Sequence, residues 1–226
     1  MPLKAMSDVN RDLALSYVQR YFSSQKNGRP LYSGSRFETF AGGGDIVEPN
    51  RITHSDLIAV SMLSVHVPAQ AAIGITGTHA EEIEELLTRI PTDVALESLS
   101  EFEPYLGPES ATQKLWDLLR QNHGTRWGLG PTTTSKIMAR KRPQLVPVLD
   151  SVVSKARKGN RTRNYWFDWF EAFKEPGHED QIGELQKIRA ESGQHHLSLV
   201  RVLDIILWMH RPESHEVKER VGDDDT

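Results

Sequence analysis

The chain contains no cysteine. Disulfides are therefore excluded, and so are thiolate-bound zinc and iron–sulfur clusters. Long apolar runs are missing too; none reaches the roughly 20 residues that a bilayer-spanning helix needs. The opening MPLKAMSDVN lacks the apolar stretch of a signal peptide, so the cytoplasm is the expected location. No Gly-Lys-Ser/Thr follows a glycine-rich turn, which excludes the nucleotide-binding P-loop. Excess positive charge is absent as well: the formal net charge is −4.

That balance hides an uneven distribution. Residues 136–163 hold nine basic side chains, Lys136, Arg140, Lys155 and Arg157 among them, against the single acid Asp150. Such a run reads either as a solvated face or as a patch that steers a polyanion.

With 226 residues and 38% hydrophobic content, the chain is long enough for one sizeable core. Its periodicity is nearly all helical. Helices are expected from Ser7 to about Gln25, from Thr53 or Ser55 to about Val65, after Pro68, and after a Thr78 cap. Others should follow Pro91-Thr92-Asp93, span Pro108 to Asn122, and cover about 131–141, 148–158, 163–174, 180–192 and 196–210. Residues 27–52 are different. Glycines and prolines there, including Gly42-Gly43-Gly44, imply a loop insertion with a short strand pair around Leu31 to Phe40. The expected organisation is one helical domain over residues 1–215 and a disordered tail over 216–226.

The most informative stretch is GLGPTTTSKIMARKRPQLVPVLDSVVSKA, from Gly128 to Ala156. Gly128 and Gly130 permit a tight turn, and Pro131 suits the first position of a helix. Backbone amides at such a helix start, with the hydroxyls of Thr132 and Thr133, form an anion site that fits a phosphate. Asp150 lies 20 positions after Gly130, behind Pro147-Val148-Leu149. It can cap the helix that follows, stabilise a developing cation, or do both.

This pattern resembles the helix-hairpin-helix DNA glycosylase superfamily, and most closely its adenine-glycosylase branch. The stronger likeness covers about 30 residues; Leu57 to Ser64 with Val65 to Pro68 looks like the superfamily's early helix. The resemblance implies an all-α, glycosylase-like fold that carries residues 27–52 as an insertion and residues 123–158 as its hairpin and aspartate segment. It implies DNA as partner and cleavage of the N-glycosidic bond of an extruded nucleotide, with Asp150 stabilising the sugar cation. Gly128, Gly130, Thr132, Thr133, Lys136, Arg140, Lys155 and Arg157 would hold the nucleic acid.

Two departures matter. Thr132 stands where bifunctional members carry a lysine, which implies a monofunctional enzyme without lyase activity. Ser61 stands where the adenine branch has its glutamate acid. His66 is the candidate replacement, because its unperturbed pKa is near neutrality. Trp127, Gly43, Gly44 and Asp45 are candidate pocket residues. No cofactor, metal, iron–sulfur cluster or membrane contact is expected.

The aromatic run Tyr165, Trp166, Phe167, Trp169 and Phe170 reads as a core face. The whole chain also resembles an uncharacterised, mostly actinobacterial family of unknown function, which implies no activity. Two further readings stay open: a DNA-binding protein without catalysis, and a small-molecule enzyme acting on a nucleoside in the same cleft.

Overall fold

The computed structural model describes residues 9–121, 124, 126–149 and 163–210. These residues are helical, with turns and extended connections between the helices and no named strand among them.

Helix α1 (Arg11–Tyr21) is capped by Asn10, whose side chain accepts from the Leu13 amide; the expected cap, Ser7, lies outside the described residues. A capping box opens α2 (His54–Ser61): the Thr53 hydroxyl accepts from the Asp56 amide, and Asp56 accepts from the Thr53 amide. Pro68 precedes α3 (Ala69–Ile73), which runs into a wide turn at Gly74–Thr78. That turn moves the start of α4 (Ala80–Thr88) past Thr78, so His79 takes the cap position without a side-chain bond.

Helix α5 (Glu103–Leu106) is short; α6 (Ala111–Arg120) is capped by Ser110 and ends at Gln121, which has a positive φ of 50°. Helix α7 (Pro131–Lys141) follows the glycine hairpin. Then come α8 (Arg163–Ala172), α9 (Glu179–Glu191) and α10 (Leu199–Met209), the last capped by Ser198. Of the helix expected at 148–158, Val148 and Leu149 are not helical, and 150–158 lie outside the described residues.

One continuous core joins these helices. Helix α10 packs against α1 and α9, α2 against α7, and α4 against both α6 and the turn before it. The aromatic residues of α8 face the core, except Phe167, which is partly exposed. The expected strand pair around Leu31–Phe40 is replaced by short 3-10 turns at Ser33–Arg36 and Phe40–Gly42. A single antiparallel bridge, Ser24 to Pro30, precedes them. Alternation is too weak there for a ladder to compete, and Gly34 interrupts it.

Candidate functional site

The hairpin is built by burying its middle residue. Leu129 is buried between two glycines, and its carbonyl accepts from Arg120 Nη1 at 2.5 Å. Gly128 has φ +87°, a region that disfavours side chains, and lies against Pro68. Gly130 needs its freedom less: φ is −79°, and a Cβ there would meet nothing within 4 Å. Open space at this position is what an approaching ligand backbone requires.

Trp127 braces the hairpin. Its indole N–H donates to the Leu119 carbonyl at 2.5 Å, and its ring fills the space a side chain at Gly74 would occupy. The His79 ring meets it edge-on at 5.5 Å. Trp127 therefore sits half-buried as a buttress. The helix start offers the amides of Gly130, Thr132 and Thr133; Pro131 has none.

A cavity of about 470 Å³ lies at this first turn, between α1, the end of α2, α7 and α10. Thr132 and Lys136, one turn apart, line its α7 side. Tyr21, Tyr32 and Trp208 form an aromatic wall. The two tyrosines stack at 5.5 Å, nearly parallel, and Trp208 meets each of them edge-on. Gly34 makes this possible, because a Cβ there would lie 2.1 Å from the Tyr21 hydroxyl.

Arg201 and Asp204 complete the floor. Arg201 donates to the Tyr21 hydroxyl at 3.0 Å, to Asp204 and to Glu38. Burial pushes the Tyr21 hydroxyl up to about 12, so it stays a neutral phenol. Burial opposes the charge of Arg201, but Glu38, Tyr21 and Asp204 outweigh it and hold the guanidinium pKa well above its usual range.

The segment leading to Asp150 is pinned beside this cavity. Leu149 donates its amide to Ser135 Oγ at 2.9 Å, and the Tyr165 hydroxyl donates to the Val148 carbonyl. Val148 lines the cavity. Asp150 itself, with Lys155 and Arg157, lies outside the described residues.

Several expectations need correction. His66 is exposed in the loop between α2 and α3, not on a helix, and lines neither this cavity nor the one beneath the glycine-rich loop. Ser61 ends α2 and donates its hydroxyl to the Ile58 carbonyl. Thr133 is buried, whereas Thr132 is half-buried.

The basic residues of α7, and Arg142 just after it, turn inward. Lys136, Arg140, Lys141 and Arg142 are only 6%, 3%, 0% and 2% exposed. Lys136 donates to the Leu63 carbonyl at 2.7 Å. Arg140 pairs with Asp56 and donates to the carbonyls of Phe37, Glu38 and Phe40. Lys141 reaches Asp56 and the Glu48 carbonyl; Arg142 reaches the carbonyls of Pro49, Leu87 and Ile90. Burial lowers Lys141, and it brings Arg142 down to about 10 against the pull of Asp45. Arg140 thus holds the insertion together instead of facing a nucleic acid.

The glycine-rich loop is clamped onto this ion cluster. A Cβ on Gly44 would lie 2.5 Å from Asp56 Oδ1 and 2.6 Å from Arg140 Nε. Gly42 and Gly43 have φ of +89° and +94°. Asp45 and Gly42 line a second cavity of about 240 Å³; Gly43 and Gly44 line neither cavity.

Arg201, Asp204 and the three aromatic residues were missed from sequence. A signal for the first two existed: an arginine and an aspartate three apart in the otherwise apolar LVRVLDIILWM. Among the described residues no group of three His, Asp or Glu could hold a metal, and no helix is long and apolar enough to cross a membrane.

Residues 14–211 match the model of a family of unknown function (DUF6308), and the chain belongs to that family. No curated protein and no solved structure matches the chain.

Proposed function

We propose that this protein is a monofunctional DNA N-glycosylase of helix-hairpin-helix type. The observation that carries the reading is the aromatic-walled cavity of about 470 Å³ at Thr132, on the first turn of the hairpin's second helix. A phosphate held by the amides of Gly130, Thr132 and Thr133 would leave its nucleotide beside that opening. The volume falls within the range of small-molecule sites. Tyr32 and Trp208, both partly exposed, offer aromatic surface to an extruded base, and Arg201 offers a fixed cation.

In this reading the bond between C1′ and the base nitrogen breaks, and its electron pair leaves with the base. The Asp150 carboxylate stabilises the cation on the sugar, and water adds at C1′ and releases its proton to solvent. With Ser61 in place of an acid and His66 outside the cavity, the departing base receives little protonation. Bases that already carry positive charge, such as alkylated purines, are the favoured substrates. Thr132 supplies no amine, so the strand is not cut.

The same lack of an acid favours a second reading, in which the hairpin binds DNA without chemistry. One experiment separates the two: base release from duplexes carrying deaminated, oxidised or alkylated bases, with wild type and Asp150→Asn. Release by wild type alone supports the enzyme. Equal release by both proteins sinks the role of Asp150. No release with salt-sensitive duplex binding leaves a DNA-binding protein. A nucleoside enzyme would show ligand stabilisation and no duplex binding.

A further inference from the structure

The aromatic cavity holds one more polar group, the Tyr21 hydroxyl. Tyr21 is 5% exposed and lines the cavity. Its ring is covered: Tyr32 stacks on it, and Phe22 and Trp208 meet it edge-on. Its oxygen stands among cavity-lining groups. Arg201 Nη2 donates to it at 3.0 Å, and Gly34 leaves open the space beside it, where a Cβ would lie 2.1 Å from the oxygen and 3.0 Å from Leu63 Cδ2. Arg201, Gly34 and Leu63 all line the cavity, so the hydroxyl sits at its wall.

A phenol accepts through its oxygen and has one hydrogen to give. Arg201 uses the oxygen, and a guanidinium, which only donates, cannot take the hydrogen. Glu38 and Asp204 are both engaged by Arg201 and act on the phenol through charge alone. The hydrogen therefore has no acceptor among the described residues. Burial keeps the group neutral, with its pKa pushed up to about 12, so the hydrogen stays on the oxygen. A buried donor without an acceptor is costly, and such a group marks a place where a ligand supplies the partner. The bond from Arg201 also polarises the O–H and strengthens it as a donor.

We propose that Tyr21 is the hydrogen-bond donor to the departing base: its O–H meets a ring nitrogen or carbonyl oxygen of a base seated against Tyr32 and Trp208. As the bond to C1′ breaks, the electron pair spreads onto that acceptor, and the hydrogen bond strengthens. No proton is transferred from Tyr21. A neutral base leaves as an anion and takes its proton from solvent, which has received one from the added water. A base that is already cationic leaves neutral and gains little from the donor. The seat of the base rests on the glycosylase reading; the contact itself needs no bond to break, so a free base makes it too.

The test is base release from duplexes carrying one hypoxanthine or one 7-methylguanine, with wild type and Tyr21→Phe. The variant keeps the ring and loses the donor. It releases hypoxanthine roughly a hundredfold more slowly, as expected for one donor lost from a developing charge, and 7-methylguanine within about threefold of wild type. A partly unfolded variant would slow both alike. If Tyr21→Phe does not fold, 3-fluorotyrosine in place of Tyr21, a more acidic phenol, speeds hypoxanthine release selectively. Calorimetric titration with free hypoxanthine reads the contact without chemistry: Tyr21→Phe binds it about tenfold more weakly than wild type. Equal slowing of both bases, release of 7-methylguanine alone by wild type, or equal hypoxanthine binding by the two proteins overturns the proposal and leaves the glycosylase reading. Tenfold weaker binding with no release from either duplex keeps the Tyr21 contact and ends the glycosylase reading. Neither release nor binding overturns both.

Discussion

Replacing Asp56 by asparagine removes the one carboxylate that serves two buried cations. Asp56 is 2% exposed, and its oxygens lie 3.1 Å from Arg140 Nε and 3.0 Å from Lys141 Nζ. The asparagine keeps the shape but turns an amide toward side chains that only donate. Breaking a buried pair from one side costs about 3–5 kcal/mol, because the remaining charge stays buried. Against a total stability of roughly 5–15 kcal/mol, that is a large share. For a chain of this size it corresponds to a fall in melting temperature of roughly 6–20 °C, which circular dichroism resolves.

The variant also carries a pH signature. Burial lowers Lys141 below its unfolded value, and Asp56 opposes that shift. A base with a lowered folded pKa binds fewer protons when folded, so stability rises with pH between the folded and unfolded values. Without Asp56 the folded value drops further, and the rise starts at lower pH. Asp56→Asn should therefore recover part of its loss as pH rises toward the ordinary lysine value of about 10.4, where the wild-type curve is flatter. A loss under about 1 kcal/mol at neutral pH, or parallel curves, would refute the argument.

Two further perturbations test other contacts. Gly74→Ala places a methyl where Trp127 Cζ3 stands, 1.8 Å from the new Cβ, so the ring must move. The expected cost is about 1–3 kcal/mol, with a shifted indole N–H resonance for Trp127; an unmoved resonance would show that the ring is not wedged there. Tyr21→Phe tests the raised phenol. The folded value near 12 exceeds the unfolded 10, so wild type binds more protons when folded and loses stability as pH climbs from 10 to 12. The phenylalanine variant should lack that alkaline loss, and an identical alkaline slope in urea melts would count against the assignment.

Local signals made much of the scaffold legible. Gly130-Pro131 fixes the start of α7 and Thr53 that of α2, because caps act within three residues; the helix expected from Pro108 opens only after Ser110. The same logic failed at Thr78, where two glycines let a wide turn form before α4 could begin. The inward direction of the basic run was not legible. The acceptors of Arg140, Lys141 and Arg142 lie mainly in residues 37–50 and 87–90, far along the chain. Three consecutive cations cannot share one helical face, so at least one had to find a partner off the helix. The glycine-rich insertion supplied the demand. It forms neither a regular helix nor a ladder, so its carbonyls lacked partners until α7 provided donors. The loop and the cations are two halves of one feature, a relation that neither segment declares alone.

That relation limits what α7 can offer a nucleic acid. Of the expected basic contacts, Lys136 and Arg140 are spent on carbonyls and carboxylate inside the protein. What remains on α7 is the hairpin's amides and the Thr132 hydroxyl beside the aromatic cavity. Amides carry no net charge and act only on a group held close. Binding of this kind gains little from long-range steering and depends instead on seating one nucleotide correctly. The Trp127 buttress, the buried Leu129 and the pinned Val148-Leu149 segment all fix positions around that one turn of helix. On the proposed reading, such a site would hold a single nucleotide of a strand and would not track a backbone.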